Sequence, residues 1–312
     1  MKRSGRLKTT RVVSTPPFDA GSATAATTCA LKGGSLMPIL GLGGGIFGGG
    51  AEEAIVSAIK LGYRLVDTSP KYGTEAALGR AIARSGVTRA DVFVQTKVCN
   101  VGYTTALRSF ARSLERLGLD YVDLLLMHSG ISGAAKADPR SPRHSEDRAG
   151  TWRAMCQLKQ EGKVRSIGVC NFSLRMLREL SRAEPPAVLQ LEWHPLLQRW
   201  HVLRYCREQG IVVQGYGSGG GGWRLWRKRP ELELLRRAPM QLAAHGKSAH
   251  QVSLRWAIEH GVCVIPKAER PNHQLENLQL FDFRLSADEM AALDGLSAHR
   301  SVYRFCDPDK YA

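Results

Sequence analysis

Asp67, Tyr72, Lys97 and His128 are the residues whose types and placement could do chemistry. A carboxylate, a phenol, an ammonium and an imidazole together can deliver a proton and steady a developing oxyanion, which is what reduction of a carbonyl to an alcohol demands. A phenol is a weak acid at neutral pH, so Tyr72 as general acid calls for a cation near its oxygen. Lys97 suits that role, with Asp67 pairing to hold Lys97 in place and His128 hydrogen-bonding the substrate carbonyl. Taken singly, Asp67 could equally cap a turn and Tyr72 be a half-buried loop aromatic.

Each of these groups belongs at or just beyond the end of a strand. Arg64 to Thr68 reads as a short buried strand, followed by a helix over Thr74 to Ile82 that starts at a Thr cap. The strand Val92 to Thr96 ends at Lys97, and the strand Val122 to Met127 ends at His128. In an α/β protein the carboxyl edge of the sheet is where ligands bind. The order Asp67, Tyr72, Lys97, His128, carried by GYRLVDTSPKYGTE, TKV and LLLMH, resembles the catalytic tetrad of the aldo-keto reductases. The chain from about Leu36 to Asp309 is similar to that family, to its aldose and aldehyde reductase and prostaglandin F synthase members. The resemblance implies NADPH-dependent reduction of an aldehyde or ketone.

Length and composition agree with one large domain. The chain has 312 residues, of which 43% are hydrophobic, and alternating short strands and amphipathic helices favour a (β/α)8 TIM barrel, usually about 250 residues. The resemblance adds an N-terminal β-hairpin and a C-terminal tail over the active site. Cys29 to Pro38 reads as that hairpin, turning at Gly33-Gly34. Residues 1–27 are expected to lie outside the fold as a basic extension, leaving 28–312 as the barrel. Their basic, acid-poor, hydroxylated composition is shared by mitochondrial transit peptides and by disordered tails.

Seven cysteines without a CxxC pair, and no signal-peptide core, point to free thiols in a reducing compartment such as the cytoplasm. No run approaches the ~18 apolar residues of a membrane span. The net charge of +16 raises the question of nucleic acid, but the excess is spread over helices and accompanies no nucleic-acid motif. A solvated surface that draws a phosphorylated cofactor is the milder reading. The expected partner is therefore a small-molecule carbonyl compound, with no specific nucleic acid, no membrane, no metal, and a monomeric state in keeping with the family's habit.

Gly43-x-Gly45-x-x-Gly48, after a strand and before the helix Ala51 to Leu61, with Asp67 nineteen residues on, carries the outward marks of a Rossmann dinucleotide site. That reading leaves Lys97 and His128 unexplained. The resemblance instead matches Gly41-Leu42-Gly43 to the family's GLG and puts Gly43, Gly44 and Asp67 beside the cofactor. Where the family commonly has Thr-Trp, this chain has Gly44-Gly45, and loss of the indole should widen the substrate pocket.

The remaining cofactor residues also follow from the resemblance. Cys170 and Asn171 of SIGVCNF, with Cys where the family has Ser, and Gln190 of VLQLEWHP would hold the nicotinamide carboxamide. A buried structural thiol is the other reading of Cys170. Tyr216 would stack on the nicotinamide ring. Gly217, Ser218 and Gly219, at the head of a glycine-rich loop, would bring backbone amides to the pyrophosphate. IPKA and LEN resemble the family's cofactor signature, with Lys267 on the 2′-phosphate and Glu276 and Asn277 on the adenine. Ala268 stands for the family's Ser and His273 for its usual Arg, and Arg270 is the candidate replacement cation beside a repelling Glu269.

Ser129 to Gly150, rich in Gly, Pro and charge, reads as a long mobile loop over the strand ends, followed by a helix from Trp152 to Glu161. The helix Thr104 to Leu117 should bury Leu107, Phe110, Ala111, Leu114 and Leu117. His194 reads as structural. A catalytically weak NADPH-binding barrel acting as a regulatory subunit is the alternative to a reductase.

Overall fold

The computed structural model describes residues 15–45, 49–99, 101–180, 184–219 and 246–296. Gly48, the segment 220–229 and the tail 302–308 lie outside the described residues. A hairpin comes first, as the Gly-Gly turn requires. Thr28–Ala30 (β1) pairs antiparallel with Leu36–Pro38 (β2), Cys29 facing Met37. Gly33 and Gly34 turn the chain at φ of +96° and +87°, which glycine adopts without a Cβ penalty.

Eight parallel strands follow in chain order: Leu42–Gly43 (β3), Leu65–Asp67 (β4), Phe93–Val98 (β5), Val122–Met127 (β6), Val164–Cys170 (β7), Val188–Glu192 (β8), Val212–Tyr216 (β9) and Cys263–Val264 (β10). Each lies beside its neighbour in sequence. The last strand meets the first: Leu40 bridges Val264, the Gly41 amide donates to the Val264 carbonyl at 2.9 Å, and the Gly43 amide donates to the Pro266 carbonyl at 3.0 Å. The sheet closes on itself as a (β/α)8 barrel and has no open edge. This order excludes the Rossmann reading of the first glycines, because a doubly wound sheet reverses its strand order at the nucleotide site.

The helices Ala51–Lys60 (α1), Glu75–Ser85 (α2), Tyr103–Leu117 (α3), Arg143–Gln160 (α4), Leu174–Leu180 (α5), Trp200–Glu208 (α6), Ala249–Glu259 (α7), Pro271–Leu278 (α8) and Ala287–Asp294 (α9) accompany these strands. Their caps are legible. Ser248 with Gln251 opens α7 and Ser286 with Glu289 opens α9 as full capping boxes, each worth about 1 kcal/mol. Thr74 occupies the N-cap of α2 without capping it. Its hydroxyl pairs with that of Thr68 at 2.8 Å and donates to the Gly44 carbonyl at 3.3 Å, tying the helix start to two strand ends.

Three expectations change. In α3 the buried face is Ala106, Phe110, Ser113 and Leu117, with Leu107 and Leu114 partly covered and Ala111 exposed. The segment Ser129 to Gly150 is not one loop, since α4 begins at Arg143, nine residues before Trp152. Its first turns escape a hydropathy reading because their inward residues are polar. His144 Nδ1 accepts from the Ser132 amide at 3.0 Å, and Arg148, enclosed, pairs with Glu179 at 2.6 Å and donates to the Gly130 carbonyl at 3.1 Å. Residues 15–27, set aside from the fold by their composition, lie against the barrel. Phe18 and Ala23 join the core, and the Ala20 carbonyl accepts from Arg255 at 3.1 Å. Two small apolar anchors in a polar stretch leave no periodicity to read.

No helix among the described residues is long and apolar enough to cross a membrane.

Candidate active site

Asp67 is the last residue of β4, enclosed by the barrel at 3% exposure, with Gly44 pressed against its backbone. A Cβ on Gly44 would lie 2.1 Å from the Asp67 carbonyl oxygen, and one on Gly43 would lie 2.5 Å from the Ile265 carbonyl oxygen. The two glycines thus let the first strand approach both neighbours. One carboxylate oxygen, Oδ1, accepts from three side chains: the Lys97 ammonium, Gln95 at 2.6 Å and Gln190 at 3.2 Å.

Lys97 projects from β5 into this enclosure, 1% exposed, and also donates to the Thr68 carbonyl at 3.0 Å. Burial works against its charge, yet the Asp67 carboxylate and the Tyr72 oxygen outweigh that and hold its pKa above the ordinary lysine value. The ammonium lies 4.7 Å from the centre of the Tyr72 ring. Tyr72 ends the short helical turn Pro70–Tyr72, which Ser69 caps by accepting from the Lys71 amide.

Lys97 favours the phenolate of Tyr72, as expected of a neighbouring cation, but it does not set the net shift. Burial pushes the Tyr72 pKa above the ordinary phenol value, and Lys97 lowers it only in part because Asp67 opposes. The residue therefore stays a neutral phenol across the physiological range. His128, the first residue beyond β6, meets the Tyr72 ring edge to face at 5.7 Å. Burial, with Lys97 and Lys71 adding positive charge, pushes its pKa down to about 3, so the imidazole is neutral.

A second layer joins the tetrad to the next three strands. Gln190 donates to Gln214 at 2.8 Å, Gln95 and Gln214 exchange amide hydrogen bonds at 2.9 and 3.1 Å, and the Cys170 thiol donates to Gln190 at 3.3 Å. Asn171 Nδ2 donates to the His128 carbonyl at 3.2 Å and to the Cys170 sulfur at 3.1 Å, while Tyr216 donates its hydroxyl to Asn171 Oδ1 at 2.7 Å. Asn171 holds a left-handed backbone, φ +58°, a strained conformation of the kind kept at functional sites. The structure thus brings Cys170, Asn171, Gln190 and Tyr216 together beside Asp67 and His128. Cys170 is buried and hydrogen-bonded within this network.

Gly217, Ser218 and Gly219 continue from β9 toward α7. A Cβ on Gly219 would fall 2.0 Å from the His250 ring, whose Nδ1 lies 3.1 Å from the Gly219 carbonyl oxygen. Glu276 and Asn277 of α8 act on the same ring, Glu276 through its charge. The buried Ser218 hydroxyl has no hydrogen-bond partner among the described residues. Further out, Lys267 pairs with Glu269 at 2.7 Å, Ala268 is buried, and Arg270 and His273 are exposed at the start of α8. His194, read as structural, is enclosed beside Glu192 at 3.1 Å.

Sequence reasoning missed Gln95 and Gln214, which complete the inner layer with Gln190. A polar residue inside an otherwise apolar strand, repeated in FVQTK, VLQLE and VVQGY, was the available signal. It also missed Ser69 and Cys99 beside His128, and Gln274. The Gln274 amide donates to the Ala54 and Ala268 carbonyls at 2.8 and 3.1 Å, holding α8 against α1.

This arrangement sets a neutral phenol and a neutral imidazole beside a buried ion pair. A polar cradle runs on from them across the strand ends. The Aldo/keto reductase family model matches residues 40–298. The glyoxal reductase of Bacillus subtilis (strain 168) is 39% identical over 284 residues, covering 88% of this chain and 94% of its own. The morphine 6-dehydrogenase of Pseudomonas putida is 41% identical over 280 residues, covering 85% and 90%. Among solved structures, an aldo-keto reductase from a Medee basin deep-sea metagenome library superposes with a TM-score of 0.77 at 33% identity, covering 88% of this chain and 96% of its own.

Proposed function

The chain belongs to the aldo/keto reductase family, and we propose that it reduces an aldehyde or ketone to the alcohol using NADPH, with Tyr72 giving the proton. The observation that carries this reading is the contact of half-buried Tyr72 with the enclosed Lys97 on one side and His128 on the other. NADPH, when bound, supplies the hydride. Tyr72, kept protonated by burial, releases its proton to the carbonyl oxygen as negative charge develops there. Lys97 steadies the phenolate left behind, and Asp67 keeps that ammonium in place. His128, neutral, hydrogen-bonds the carbonyl oxygen without adding a charge to the resting site.

The residues fit such a cofactor. The unpartnered Ser218 hydroxyl and the glycine pair at 217 and 219 offer polar contacts at a place where side chains would obstruct. Asn171, Cys170 and Gln190 would hold the carboxamide, with Tyr216 against the ring and Gly43 and Gly44 beside Asp67. Lys267 and Arg270 would meet the 2′-phosphate, Ala268 and His273 would flank it, and Glu276 and Asn277 would take the adenine. The relatives act on compounds as different as glyoxal and morphine, so the substrate class is drawn no tighter than a small-molecule carbonyl compound. A cytoplasmic monomer completes the reading, with free thiols in its support.

The test is consumption of NADPH on adding a panel of aldehydes, ketones and quinones. Turnover is the expected result. A protein whose Trp fluorescence is quenched by NADPH, yet which turns over none of the panel, would replace the reductase with an idle cofactor-binding barrel.

A further inference from the structure

Two groups, each just beyond a neighbouring strand end, meet at the Nδ1 edge of the His128 ring. Nδ1 lies 3.3 Å from the Ser69 hydroxyl oxygen and 3.2 Å from the Cys99 sulfur, and those two atoms are 3.2 Å apart. His128 is anchored to its neighbours through the main chain. Its backbone amide donates to the Val98 carbonyl at 2.9 Å and its own carbonyl accepts from Asn171.

We propose that Ser69 and Cys99 fix the tautomer of His128, leaving Nδ1 a bare acceptor so that Nε2 carries the ring proton. The argument is a count of protons. Ser69 Oγ already accepts from the Lys71 amide at 3.3 Å, so its hydroxyl proton must go to Nδ1 or to the thiol. The Cys99 thiol proton has the same two kinds of acceptor within reach, Nδ1 and the hydroxyl oxygen. With Nδ1 bare, both protons find acceptors: the hydroxyl donates to Nδ1 and the thiol to the hydroxyl oxygen or to Nδ1. With a proton on Nδ1, three donors would face two acceptors and one would be orphaned. With Ser69 enclosed and the cluster part-buried, leaving a polar proton unmet is the costlier state. The suppressed basicity of the ring keeps it neutral, so fixing one nitrogen fixes the other.

The consequence for the reaction rests on the reductase reading. A ring that carries its proton on Nε2 presents a donor on the edge away from Ser69 and Cys99, as stabilising a carbonyl oxygen requires. Ser69 and Cys99 are then positioning residues, acting through His128 without touching substrate.

Nitrogen-15 NMR of histidine-labelled protein tests this directly, with His128→Gln assigning the signal. The expected wild-type pattern is Nε2–H, with Nδ1 unprotonated. In S69A/C99A the ring should populate both tautomers, and kcat/KM should fall roughly tenfold, the scale of one lost hydrogen bond. Cys99→Ser, which keeps a donor, should retain the wild-type pattern and most of the activity. A wild-type ring protonated on Nδ1, or a double variant with the wild-type pattern, would overturn the proposal. The spectrum needs no substrate, so the wild type decides the direction even if the double variant fails to fold. Absence of turnover counts against the reductase reading alone.

Discussion

Replacing Lys97 with Met tests whether the ion pair beneath Tyr72 is a coupled unit. Lys97 is fully enclosed, and Asp67 is 3% exposed. Removing one member of a buried pair costs about 3–5 kcal/mol, chiefly because the other charge is left uncompensated. Here Asp67 keeps two amide donors, Gln95 at 2.6 Å and Gln190 at 3.2 Å, and hydrogen bonds to a charged group contribute about 1.5–3 kcal/mol each. The cost of Lys97→Met should therefore lie at the lower end, about 3 kcal/mol. For a domain of this size that lowers the melting temperature by about 6–12 °C, at about 2–4 °C per kcal/mol. Asp67→Asn should cost a comparable amount, since it strands the ammonium on the Thr68 carbonyl. The double variant carries no buried charge, so its loss should be smaller than the sum of the singles by about 2 kcal/mol. Urea unfolding of the four proteins at pH 7 supplies the cycle. A Lys97→Met protein within about 1 kcal/mol of wild type, or strict additivity, would refute the coupling.

His128 sets a pH dependence of stability. Its pKa is about 3 in the fold against an ordinary 6.5, so between those values unfolding takes up a proton and stability falls as pH drops. The slope approaches about 1.4 kcal/mol per pH unit, or about 2 kcal/mol between pH 6.5 and 5. Unfolding titrations of His128→Gln should show that component missing. Gly44→Ala would drive a methyl into the Asp67 carbonyl and should cost at least about 2 kcal/mol, with activity falling as Asp67 shifts; calorimetry and rate measurements would detect both. Glu269→Gln removes a carboxylate 2.7 Å from Lys267, a charge that repels phosphate. The KM for NADPH should drop relative to that for NADH, and an unchanged ratio would remove Lys267 from the 2′-phosphate site.

What the sequence revealed followed from where the chemistry sits. Asp67, Lys97 and His128 lie at or next to the ends of short apolar strands, so their positions could be read from hydrophobic runs that stop at a polar residue. The barrel followed from the repetition of those runs. Features formed only by closure of the barrel were not legible. Gln95, Gln190 and Gln214 come from three strands and make sense only once the strands face one another. Cys99 and Ser69 are adjacent to His128 in space and far from it in sequence. The first turns of α4 looked like loop because Arg148 and His144 are satisfied by Glu179 and Ser132, partners that hydropathy cannot register. The closeness of Lys97 to Tyr72 could be inferred from strand order, whereas the desolvation that raises the phenol's pKa could not.

The measurement that bears most directly on the central claim is the rate of NADPH-dependent carbonyl reduction by Tyr72→Phe beside the wild type, with NADPH binding followed by Trp fluorescence in both. The variant keeps the ring that packs against His128 and Lys97 and loses the hydroxyl. Binding should be unchanged, and kcat should fall by about a hundredfold or more, the scale of a missing general acid. A variant that reduces carbonyl compounds as fast as the wild type would contradict the assignment of Tyr72 as proton donor and the role built on its neighbours.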